Sequence, residues 1–112
     1  MAVALERAVL DRELRLVVTW VTQADLDRFG VELEETEGLI DLVRRTGEAE
    51  VACVLKAMSD GTRVSLRSTS DLDVSAIAIA FGGGGHRAAA GFTSDRPVPE
   101  LVADIKAALA AA

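Results

Sequence analysis

The chain has 112 residues, 50% of them apolar and 27% charged, with a formal net charge of −6; this suffices for one domain with one core and excludes an intrinsically disordered chain. A single cysteine, Cys53, excludes a disulfide framework and a Cys-rich zinc site, and a single histidine, His86, leaves too little for a His-based metal centre. The acidity also speaks against a broad nucleic-acid surface, because phosphate backbones are held by lysine and arginine.

Met1 to Leu10 spaces Val3, Leu5, Ala8 and Val9 as a short amphipathic helix. It lacks the charged start and long apolar stretch of a signal peptide, and no apolar run reaches the ~20 residues of a membrane span. A domain that opens on a bare helix fits a piece of a longer chain as well as a complete one. Leu14–Thr22 is rich in β-branched residues and apolar on both faces, which predicts an interior strand. Trp20 belongs to its core, with base stacking the lesser alternative. Gln23–Phe29 reads as a short helix, with Thr22 as N-cap and Gly30 as its stop. Glu34–Arg45 puts acids in the first turn and Arg44 and Arg45 in the last, the order a helix dipole favours, before a stop at Gly47. The acids at its entry (Glu32, Glu34, Glu35, Glu37) read as capping and solvated surface.

Glu50–Met58 and Thr62–Ser68 predict two strands joined at Asp60-Gly61, a strong hairpin signal. With those two residues as the loop, Ser59 pairs with Thr62 and Leu55 with Leu66. Alternation then places Cys53, Leu55, Ala57, Val64 and Leu66 on one face, Cys53 as a small core hydrophobe. The other face carries Val54, Lys56, Met58, Arg63, Ser65 and Arg67. For Lys56 and Arg63 a solvated strand surface is the simpler account. Asp73–Phe81 sets Val74, Ile77, Ala78 and Phe81 along one helical stripe, with Asp73 as N-cap and Gly82 as stop. Ala88–Thr93 reads as a strand of small residues, and Pro99 opens a last helix whose face is Leu101, Val102, Ile105, Ala108 and Leu109. This order predicts a mixed α/β fold, a central sheet of four to five strands flanked by helices.

Charge and glycine are unevenly spread. Residues 1–60 hold 13 Asp/Glu against 7 Lys/Arg, whereas residues 61–112 hold 5 against 5, and five of the nine glycines fall between Gly82 and Gly91. A small anion site therefore fits the second half despite the overall acidity. Successive N–H groups in Gly82–Gly85 can wrap an anion as a nest, with His86 donating to a phosphate oxygen and Arg87 adding charge if it points inward. A flexible linker is the alternative, but linkers are polar and serine-rich, whereas Phe81 and Phe92 seal this run. A P-loop is excluded because no Lys-Ser/Thr follows the glycines, and the loose dinucleotide pattern at Gly83, Gly85 and Ala88 follows a helix instead of a strand. Four aromatic residues in all supply no stacking platform for a long single strand.

GGGGHRAAAG at 82–91 resembles the GGGHxxAAG signature of the type 1 DHH-associated domain. That domain is the C-terminal half of DHH-family phosphoesterases, which include RecJ-like exonucleases and oligoribonuclease/pAp phosphatases. Val64–Ser68 followed by Asp73–Ala78 resembles the segment preceding the signature in the oligoribonuclease branch, and Glu37–Asp41 is similar to the family's first helix. The resemblance runs from about Leu14 to the C-terminus. It implies that residues 1–11 end an interdomain connecting helix and that 12–112 form a substrate-binding domain, without the N-terminal catalytic DHH domain and its two manganese ions. It further implies that His86 and the backbone of Gly83, Gly84 and Gly85 contact phosphate near the scissile bond. Arg67 would hold another phosphate or the nucleotide end, with Arg63 second to it.

The resemblance assigns no catalytic residue, metal ligand or cofactor to this chain, which by itself is expected to be inactive. The implied protein is a cytoplasmic, manganese-dependent phosphoesterase acting on short oligoribonucleotides, pAp or cyclic dinucleotides, with exopolyphosphatase-like relatives. Its partners would be the nucleotide substrate, its own DHH domain and a second copy in a homodimer, but no membrane. The alternatives are an RNA-contacting or dimerisation module like the C-terminal domain of alanyl-tRNA synthetase, and a stand-alone nucleotide sensor.

Overall fold

Three long strands, β2 (Leu16–Thr22), β3 (Val51–Met58) and β4 (Gly61–Ser68), form the middle of the sheet. The computed structural model describes residues 7–29, 47 and 49–112. Among these, β1 (Val9–Asp11), β5 (Gly84–His86) and β6 (Ala89–Ser94) complete a six-stranded sheet in the order β1-β2-β3-β4-β6-β5. β2 and β3 run parallel and every other neighbouring pair is antiparallel. The mixed α/β expectation holds, and the extra strands are β1 and β5. Three helices are described: α1 (Gln23–Phe29), α2 (Val74–Ala80) and α3 (Val98–Ala111). The helix expected over Glu34–Arg45, and the Gly30 stop, lie outside the described residues.

Helix α1 starts where the sequence places it. Asp25 N–H donates to Thr22 Oγ1 at 3.1 Å and Thr22 N–H donates to Asp25 Oδ2 at 2.8 Å, a reciprocal capping box. The helix expected to reach Leu10 gives way to β1 by Val9, which pairs with Val18. The open edge of β2 supplies ladder partners there, and Leu14 N–H donating to Asp11 Oδ1 closes the turn between the strands.

The β3–β4 hairpin has a different register from the one expected. Met58 pairs with Gly61 and Leu55 with Val64, so the loop is Ser59-Asp60. Gly61, at φ 136°, takes the left-handed conformation just after a turn whose own residues keep negative φ. The offset is two residues, so every side chain keeps its expected face.

Helices α2 and α3 join the face of Val18, Cys53, Leu55, Val64, Leu66, Ala90 and Phe92 in one core, contributing Val74, Ile77, Ala78, Leu101, Ile105 and Leu109. Each large aliphatic side chain so buried is worth about 1.5–3 kcal/mol. Cys53 is in this core, as expected. On the opposite face Val17, Ala49, Ala52 and Val54 form a second apolar cluster. The β4–β6–β5 half of that face holds the candidate site. No helix among the described residues is long and apolar enough to cross a membrane.

Candidate anion groove

The glycine run is part helix cap and part strand. Phe81 is the C-cap of α2, and Gly82, at φ 90°, follows it in the left-handed conformation. Gly82 N–H donates to the Ile79 carbonyl at 3.0 Å and Gly83 N–H to the Ala78 carbonyl at 2.8 Å. This is a Schellman cap, and it engages two of the N–H groups expected to form an anion nest. Gly84, Gly85 and His86 then pair with Gly91, Ala90 and Ala89 as the edge strand β5, which sequence reading missed. Gly83 lies so close to β6 that a Cβ there would be 2.1 Å from the Gly91 carbonyl oxygen, whereas a Cβ on Gly84 would meet open space. The rings of Phe81 and Phe92 stack beneath the run.

The β5–β6 turn is pinned to the loop before α2. Ser68 N–H donates to the Ala88 carbonyl at 2.9 Å, and Val74 N–H to the Arg87 carbonyl at 3.0 Å. Arg87 Nη1 donates to the Ser70 carbonyl at 3.1 Å, so this guanidinium braces the turn instead of adding charge to the glycines. Arg96 likewise turns to α3, bonding Asp104 and Glu100. These anchors hold His86, exposed at the end of β5, at a fixed place.

Strand register brings the remaining site residues together. His86 is level with Ala89 and Arg67; Gly84 with Gly91 and Ser65; Thr93 with Arg63 and Lys56. Because level residues share a face, these three rows lie on one side of the sheet. Two cavities open along them. One, of about 440 Å³, is lined by Lys56, Arg63, Ser65, Thr93 and the backbone near Gly82, Gly83 and Gly91. The other, of about 420 Å³, is lined by Ser65, Arg67, Gly84, Gly85, Ala89 and Gly91. Ser65 and Gly91 border both, so the cavities form one groove, and no carboxylate is among its described lining residues. Arg67 Nη1 also donates to the Leu66 carbonyl at 3.0 Å.

Lys56 departs from the solvated surface expected of it. It is only 4% exposed, whereas Arg63 opposite it is exposed as expected. Alternation assigned Lys56 to the correct face, but its depth comes from tertiary packing. The groove can thus hold an anion between a glycine-walled strand and a row of cations. Among the described residues no three His, Cys, Asp or Glu side chains come together, so they do not fit a metal centre.

Outside the groove, the Arg7 guanidinium lies 3.8 Å over the Trp20 ring and bonds Asp25 at 2.5 Å. That hydrogen bond is the main reason the Asp25 carboxyl is held down at about 2. Trp20 packs against the core, its ring covered by Arg7, which favours the structural reading of this residue over base stacking. Burial pushes the Cys53 thiol up to about 12.

Comparison with known proteins assigns the chain to a family. The model of the DHHA1 domain family matches residues 14–112. Over 60 residues the chain is 35% identical to the bifunctional oligoribonuclease and PAP phosphatase NrnA of Thermus thermophilus, a match covering 54% of this chain and 18% of that protein. The fold is similar to that of an exopolyphosphatase-related protein from Bacteroides fragilis, with a TM-score of 0.86, 21% identity, and coverage of 95% of this chain and 32% of that one. It is also similar to the C-Ala domain of alanyl-tRNA synthetase from Aquifex aeolicus, with a TM-score of 0.60, 20% identity, and coverage of 84% and 91%. The chain therefore spans about a fifth of NrnA and a third of the exopolyphosphatase-related protein. From the glycine signature, the strand order and the family match together, the chain belongs to the DHHA1 domain family.

Proposed function

We propose that this chain is the substrate-holding part of a DHH-family phosphoesterase, and that its groove takes the phosphate end of a short oligoribonucleotide or of a nucleotide such as pAp. The observation that carries this is the placement of Arg67, Arg63 and Lys56 along one glycine-walled groove, with no carboxylate among its described lining residues, in a chain that is acidic overall. Arg67 and His86, level across β4, β6 and β5, would bind the terminal phosphate. Arginine suits this role because its planar fork meets two phosphate oxygens at once. The open side of Gly84 leaves room for the ligand to lie along the strand. The similarity to an oligoribonuclease and PAP phosphatase supports a nucleotide as the ligand. The described residues offer no metal cluster, so no step of hydrolysis is assigned to them; manganese chemistry would belong to the DHH domain in the longer protein.

The test is direct binding of pAp and of a 5′-phosphorylated dinucleotide to the 112-residue chain, followed by NMR or calorimetry. Weak binding is expected, and Arg67→Ala should weaken it about tenfold, the usual scale of a charge-assisted contact. Adding Mn²⁺ should produce no hydrolysis. Absence of binding at millimolar ligand, or Mn²⁺-dependent cleavage by the chain alone, would overturn the reading. So would self-association that His86→Ala abolishes without changing nucleotide affinity, the outcome expected of a dimerisation module.

A further inference from the structure

Asp60-Gly61 is the hairpin signal of the sequence, yet the fold divides the two residues. Asp60 lies in the loop, whereas Gly61 is the first residue of β4 and pairs with Met58. Two features of the backbone demand glycine at that point. Its φ of 136° is one that L side chains rarely adopt, and a Cβ would stand 3.1 Å from the Ser94 carbonyl oxygen. The fold thus sets an aspartate directly before a position that excludes other residues.

That neighbourhood has its own chemistry. The side-chain carboxyl carbon of an aspartate reaches the backbone nitrogen of the next residue through a five-membered ring. A side chain on the next residue obstructs closure, and glycine removes the obstruction. The chain has nine aspartates and no asparagine, and Asp60 is the one aspartate followed by glycine. Restraint separates the aspartates as well. Hydrogen bonds or ion pairs hold Asp11, Asp25, Asp27, Asp73 and Asp104. After Asp71 and Asp95 the next backbone nitrogen is itself engaged: Leu72 N–H donates to Ser70 Oγ and Arg96 N–H to Ser94 Oγ. Asp60 is exposed on the loop, with no hydrogen bond or ion pair to its carboxylate among the described residues. Gly61 ends the β3–β4 ladder, where a pair opens without disturbing the rest of the sheet.

We propose that Asp60-Gly61 is the site at which this chain forms isoaspartate. The Gly61 nitrogen gives its proton to solvent and bonds to the Asp60 side-chain carboxyl carbon. The carboxyl hydroxyl leaves as water, and a succinimide ring stands in the main chain. Water then adds to one of the two ring carbonyls. Addition at the side-chain carbonyl restores aspartate. Addition at the main-chain carbonyl breaks its bond to the Gly61 nitrogen, leaving isoaspartate with the main chain routed through the former side chain. One water is lost and one regained, and nothing is oxidised or reduced. The main chain gains a methylene within a two-residue loop, beside Thr62, whose hydroxyl donates to the Arg96 carbonyl at 3.4 Å. The change therefore loosens the turn end of the β3–β4 hairpin.

The test holds the full chain for weeks in neutral buffer made with heavy-oxygen water, then digests it in ordinary water. Fragmentation mass spectrometry locates isoaspartate and incorporated oxygen, and enzymatic methylation of isoaspartyl carboxylates counts the product. Isoaspartate at residue 60 should exceed that at any other aspartate about tenfold, the result of a modestly lower barrier. Asp60→Glu, which needs a six-membered ring, should lose the signal while the chain stays folded. Asp60→Asn, which closes the same ring with loss of ammonia, should raise it several-fold. Isoaspartate spread evenly over several aspartates would overturn the proposal. So would its absence at residue 60 in the folded chain when the guanidinium-unfolded chain forms it there.

Discussion

Phe81 and Phe92 stack with ring centroids 4.9 Å apart and planes 18° from parallel, joining the end of α2 to the middle of β6 directly under the glycines. The pair couples the core to the groove, because Phe92 is level with Val64 on β4 while Phe81 is the C-cap from which the chain runs through Gly82 and Gly83 into β5.

Truncating Phe92 should therefore act on both stability and site. It is buried, so Phe92→Ala is expected to cost about 3–5 kcal/mol. The half-buried Phe81 should cost less when truncated, losing the stacking increment of about 0.5–1.5 kcal/mol along with partial burial. Denaturant unfolding of both variants checks the order, and equal losses would show that the stack does not anchor the run.

Neighbouring glycines should respond in opposite ways. Gly83→Ala drives a Cβ into the Gly91 carbonyl and the Phe92 side chain, and overpacking of this kind costs about 1–3 kcal/mol. Gly84 has ordinary negative φ and an open outer side, so Gly84→Val should leave stability within about 0.5 kcal/mol while filling the groove. Thermal unfolding together with pAp affinity separates the two effects. A stable Gly84→Val chain with unchanged affinity would remove the ligand from that part of the groove.

Much of this arrangement is legible in the sequence because it depends on period and punctuation. The alternation in β3 and β4 placed Lys56, Arg63 and Arg67 on one face even though the register was off by two, since an even offset preserves faces. Thr22, Asp73 and Gly82 announced helix boundaries through capping chemistry. What local pattern did not carry was strand β5. A run of four glycines has no propensity for extended structure, and Gly84–His86 pairs only because β6 and the anchored Arg87-Ala88 turn hold it there. The burial of Lys56 was invisible for the same reason: neighbours distant in sequence determine it.

The Arg7–Asp25–Thr22 node predicts an acid-sensitive part of the stability. Asp25 has a folded-state pKa of about 2, lowered chiefly by the Arg7 hydrogen bond. A lowered carboxylate pKa gives stability that is present above the unfolded-state value near 4 and is lost as pH falls through 2. Asp25→Asn should cost about 1–2 kcal/mol at pH 7, since the cap and the ion pair both weaken. The gap between the two proteins should close between about pH 4 and pH 2. Chemical unfolding of each at pH 7, 4 and 2 measures this, and a gap independent of pH would show that the Asp25 charge contributes nothing.

Cys53 should be chemically silent in the folded chain. Its side chain is buried in the core beside β4, and loss of solvent around the sulfur raises the thiol pKa to about 12. Since the thiolate is the reactive form, alkylation at pH 8 requires both exposure and ionisation. Both come only with unfolding, so labelling by iodoacetamide should be slow in buffer and complete in guanidinium. Its rate in buffer should rise when the core is loosened by Phe92→Ala, because local or global opening then becomes more frequent. Rapid labelling of the unaltered folded chain would mean that the β3–β4 core opens without the rest of the sheet.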